Sequence, residues 1–65
     1  MLAGTVTEFD ETRGLGTVSV DDGQTYRFHC IEIADGTRKI TVGQPVHFHP
    51  LPKFGQYQAG RIRKV

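Results

Sequence analysis

A chain of 65 residues makes one small domain, and at this size only about 60% of the unfolded surface is buried, so the core has to be compact. A lone cysteine, Cys30, excludes an internal disulfide framework; with no apolar run long enough to cross a membrane and no basic-then-apolar signal segment, the expectation is a cytoplasmic protein without a membrane partner. The formal net charge of +1 is too small by itself to mark a polyanionic partner.

The charge is unevenly spread. Residues 1–22 hold Glu8, Asp10, Glu11, Asp21 and Asp22 against Arg13, whereas the remainder holds seven basic side chains against Glu32 and Asp35. In chain order, "LAGTVTEF" (2–9) mixes β-branched and apolar residues with polar ones and predicts a first strand, followed by the turn-tolerant "DETRG". "LGTVSV" continues with Val18 and Val20 in period-two alternation, and "DDGQ" is a hairpin signal. "TYRFHC" places Tyr26 and Phe28 on one side of a third strand and Arg27 and His29 on the other. These three strands read as an antiparallel meander.

Residues 31–44 break the alternation, with "DGTRK" and "VGQP" as turn signals. "PVHFHPL" puts Val46 and Phe48 on one face of a fourth strand and His47 and His49 on the other; Pro50 and Pro52 are expected to fray its end, because neither offers an N–H to a ladder. The tail "GQYQAGRIRKV" supplies a fifth strand in which Ile62 alternates with Arg61 and Arg63. No apolar set recurs at helical spacing over three turns. The reading is a single all-β domain over residues 1–65, a five-stranded antiparallel barrel that closes to avoid exposed edges. Its expected core is Val6, Val18, Tyr26, Phe28, Val46, Phe48 and Ile62.

Nearly the whole chain resembles the cold-shock domain family, whose members are oligonucleotide-binding (OB-fold) barrels. "GTVTEF" is similar to that family's opening G-x-V-x-W-F, with Glu8 in the tryptophan position, and "RGLGTV" is similar to K-G-F-G-F-I. "YRFHC" stands for V-F-V-H-F after the "DDG" hairpin, "VGQPVHF" for E-G-Q-x-V-x-F, and "GQYQAGRI" for G-P-x-A-x-x-V, with Tyr57 in place of proline. The resemblance implies binding of single-stranded DNA or RNA, with aromatics of the second and third strands stacking bases and nearby cations holding phosphates. Most of those aromatics are replaced here, by Glu8, Leu15, Thr17, Arg27 and Cys30, while His29 is unchanged and Arg13 stands for lysine. Base stacking on an aromatic contributes about 1–3 kcal/mol per base, so the implied binding is weak and sequence-tolerant.

Residue by residue, Gly14 and Gly16 read as scaffold positions that need a small residue. Arg13 is either a phosphate contact or a solvated turn residue. Arg27 can stack its guanidinium plane on a base or pair with an acid across the sheet, Glu8 being the candidate. His29 lies on the same strand face as Arg27, and the two, with Phe9, Leu15 and Thr17, make the expected contact patch. Phe54 and Tyr57 either present a relocated stacking surface beside Lys53 and Arg61 or cap an open barrel end. "HFH" and "HC" lack the converging spacing of a zinc site, so no metal or cofactor is expected, and Cys30 is read as inert. No pair of carboxylates, nucleophile with base, or phosphate-cradling loop marks an enzyme. The alternative to nucleic-acid binding is a protein-interaction or self-assembly module on the same scaffold.

Overall fold

A computed structural model describes residues 1–53 and 55–65. Five strands, β1 (Leu2–Asp10), β2 (Leu15–Ser19), β3 (Thr25–His29), β4 (Pro45–Lys53) and β5 (Gln56–Lys64), close into a barrel in the order β1-β2-β3-β5-β4. A 3₁₀ turn, Cys30–Glu32, follows β3. The expected all-β closed barrel is therefore present, but it is mixed rather than antiparallel throughout. β3 and β5 run parallel, with Arg27 opposite Gln58. An odd number of strands cannot alternate direction around a closed ring, so one neighbouring pair has to be parallel. The same seam is continued by a parallel bridge between Ile33 and Ile62 and by the Ala34 N–H, which donates to the Ile62 carbonyl at 2.8 Å.

Two bulges set which side chains face inward. Pairing of β1 with β2 shifts by one residue between Val6 and Glu8, leaving Thr7 as the extra residue. A one-residue shift exchanges the two faces of a strand. Leu2, Gly4 and Val6 thus share the inner face with Phe9, and Glu8 moves outside. In β5, Arg61 and Ile62 together oppose Phe48, because His47 pairs with Arg63 while His49 pairs with Gly60. Arg61 takes the left-handed backbone of this bulge, at φ 49°, and its N–H donates to Glu32 Oε1 at 3.3 Å. A side chain at such a φ is uncommon outside Gly, Asn and Asp.

β4 does not fray at its prolines. It pairs with β5 as far as Lys53, with Pro50 opposite Ala59 and Pro52 opposite Tyr57. Alternate residues of a strand direct their N–H to the same side, so both prolines leave their gaps on one side of β4. β1 reaches only Pro45–Phe48, so past Phe48 that strand has a side with no ladder to interrupt.

The core holds Val6, Val18, Phe28, Val46, Phe48 and Ile62 as expected, together with Ile33, Ile40 and Ala59. Ile33 and Ile40 come from the irregular connection, where no alternation marks an inward residue. Tyr26 is only half-buried: its ring tilts against Phe48 at 5.1 Å between centroids while its hydroxyl donates to Gln24 Oε1 at the barrel end. A phenol buries its ring most readily where the oxygen still finds a partner. Among the described residues no helix is long and apolar enough to cross a membrane.

Candidate functional site

The register of β1, β2 and β3 lines up two rows on the outer surface. Glu8, Thr17 and Arg27 form one, and Asp10, Leu15 and His29 form the next. Each row runs from a carboxylate on β1, through a neutral residue on β2, to a basic or imidazole side chain on β3. Arg27, His29, Glu8 and Asp10 are exposed, and Leu15 keeps 39% of its surface.

Between the rows, Gly16 faces inward with Phe9 opposite it on β1 and Phe28 opposite it on β3. The two rings lean over the glycine and stack, with centroids 6.0 Å apart and planes 7° from parallel. A Cβ on Gly16 would run into the Phe28 ring. Phe9, a member of the expected contact patch, is turned towards the interior by the Thr7 bulge. Its ring is half-buried against Phe28 and contributes only part of itself to the surface.

The turn before β2 is built on Asp10. Its Oδ1 accepts the N–H groups of Thr12 at 3.0 Å and Arg13 at 3.2 Å, and its carbonyl accepts that of Gly14 at 2.8 Å. Asp is suited to this because its short carboxylate reaches its own backbone two and three residues on. Gly14, at φ 68°, then takes the left-handed turn position, and its carbonyl accepts the Cys30 N–H at 2.7 Å. Cys30 packs so closely that a Cβ on Gly14 would lie 2.8 Å from its Sγ. The scaffold reading of both glycines is therefore the structural one.

The result is an open depression of about 430 Å³ whose wall includes Phe9, Arg13, Leu15, Thr17 and Arg27. Five of the expected contact residues are thus brought together. His29 adjoins Leu15 in the second row, and its Nδ1 accepts the Ile31 N–H at 3.3 Å, capping the 3₁₀ turn. With Nδ1 accepting, the neutral ring carries its proton on Nε2, a donor for a phosphate or a base edge. Arg13 and Arg27 make no ion pair among the described residues. The pairing of Arg27 with Glu8 considered from the sequence is absent: Thr17 lies between them, and residues two strands apart are about 10 Å distant.

The remaining expected residues lie elsewhere. β4 and β5 are the two strands furthest from β2 in the ring, and neither Lys53 nor Arg61 lines the depression that holds Arg27. Tyr57, 63% exposed, pairs with Pro52 and lines a separate shallow depression with Tyr26. Phe54 lies outside the described residues. Gln58, beside Arg27 across the parallel seam, was not foreseen; nothing in an alternating pattern tells which strand a closing barrel places next. Among the described residues no three His, Cys, Asp or Glu side chains converge as a metal site. Compared with protein-family models and with curated proteins, the chain matches none.

Proposed function

We propose that this protein is a diverged cold-shock-type, OB-fold barrel that binds single-stranded DNA or RNA weakly and with little sequence preference, acting in the cytoplasm by contact and not by catalysis. The observation that carries this reading is the convergence of two arginines, free of ion-pair partners among the described residues, on one partly apolar depression of the β1, β2 and β3 face, which Glu8 and Asp10 also line. Arg27 stacks its guanidinium plane on a base or holds a phosphate, and Arg13 holds the next phosphate. Leu15 offers apolar contact to a base face, while Thr17 and His29 offer hydrogen bonds to base edges or sugar. Glu8 and Asp10, which line the same depression, repel phosphate and weaken the complex. The absent aromatic platforms, each worth about 1–3 kcal/mol per base, make the complex weak.

A fluorescence-anisotropy titration with labelled oligothymidylate at two low salt concentrations tests this. Two phosphate contacts give a slope of log K against log salt of about −1.4, and substituting both arginines, Arg13→Gln with Arg27→Gln, removes most of the binding. Absence of binding at high micromolar protein in low salt overturns the reading.

A further inference from the structure

The charge pattern of this face has a symmetry that a strand-binding surface does not need. Carboxylates occupy β1, neutral residues β2, and basic or imidazole groups β3, in both rows. A second copy turned about a two-fold axis running along β2, in the plane between the two faces, places β1 of each chain over β3 of the other. Glu8 then meets Arg27, Asp10 meets His29, and Leu15 and Thr17 each meet their own counterpart on the axis. A two-fold axis across the strands would instead bring Glu8 onto Asp10, so the charges select one orientation. We infer that the outer face of β1, β2 and β3 is the interface of a two-fold homodimer held by Glu8–Arg27 and Asp10–His29 pairs around a central Leu15 contact.

Several observations favour a second copy as the occupant. An isologous interface needs a patch complementary to itself, and opposed charges flanking a neutral axis meet that condition. Glu8 and Arg27 form no salt bridge among the described residues, so their charges are available, and Asp10 keeps its Oδ2 for a partner while Oδ1 holds the turn. Leu15, one of the exposed large hydrophobic residues, lies where the axis passes. The barrel is only 25 × 24 × 17 Å and its wall curves away on both sides of β2, so the contact is small and the dimer transient. The long side chains of Glu8 and Arg27 span the gap that curvature opens. Dimerisation covers the depression described above, so a nucleic-acid strand and a second copy compete for one face. The dimer itself does not depend on nucleic-acid binding.

Charge reversal with sedimentation velocity over a concentration series tests the interface, with no nucleic acid present, so that its failure is separate from failure of the strand-binding reading. The wild type self-associates reversibly at high protein concentration. Glu8→Arg or Arg27→Glu alone sets like charges against each other twice and weakens association about tenfold. An equimolar mixture of the two single variants recovers it, because each chain then meets a complementary partner, and the double variant recovers it in one chain. Leu15→Glu, which opposes two carboxylates on the axis, abolishes it. Far-ultraviolet circular dichroism confirms that each variant is folded. A wild type that stays monomeric at millimolar concentration, or single variants that associate as the wild type does and show no gain on mixing, overturns the inference.

Discussion

Gly16 is where the scaffold and the candidate site meet. Its missing side chain lets the Phe9 and Phe28 rings close over β2 and form the floor of the depression. Gly16→Ala drives the new methyl into the Phe28 ring and the Glu8 carbonyl, and overpacking of this kind costs about 1–3 kcal/mol. The expected outcome is a lower denaturant midpoint at unchanged m-value, read by urea titration. The need for a small residue was legible in the "GLG" pattern, and so was part of the reason. Strand approach is one component, since a Cβ on Gly16 would lie 2.8 Å from the Glu8 carbonyl of β1, and the Phe28 ring is the other. The half-burial of Phe9 was not legible for a related reason: a bulge at Thr7 is invisible to a period-two pattern, and one extra residue sends the following side chains to the opposite face.

At the scale of elements, β2 and β3 carry most of the candidate contact residues. Placing aromatic platforms at the two outward positions of β2, Leu15→Phe with Thr17→Phe, is expected to tighten oligothymidylate binding by about 1–3 kcal/mol for each base engaged, measured by anisotropy in low salt. These positions face outward in register with His29 and Arg27.

The connection before β4 is fastened differently. Lys64 Nζ on β5 pairs with Asp35 Oδ2 at 2.9 Å, while Asp35 Oδ1 accepts from the Thr37 N–H and hydroxyl. The Lys64 hydrogen bond, helped by those from Thr37, lowers the Asp35 carboxyl from 3.8 to about 2. A depressed carboxylate contributes stability that is complete above its unfolded value and fades as pH falls from 3.8 towards about 2. Asp35→Asn is therefore less stable than the wild type at neutral pH, and thermal melts of the two should converge across that acid window. "DGTRK" showed the turn; its tie to the last strand depends on the barrel having closed.

For the molecule as a whole, five strands and most of the core could be read from alternation, turn signals and the order of motifs. The parallel seam could not, although it follows once an odd-stranded barrel is closed. Arg13 and Arg27, far apart in sequence, line one depression, while Lys53 and Arg61 lie on β4 and β5 outside it. The most direct measurement is an amide-shift titration of the labelled protein with a short oligothymidylate in low salt, at a protein concentration low enough to keep it monomeric. The account predicts shifts clustered at residues 13–17 and 27–30 that shrink as salt rises. Shifts confined to residues 53–63, or none at saturating oligonucleotide, would contradict it.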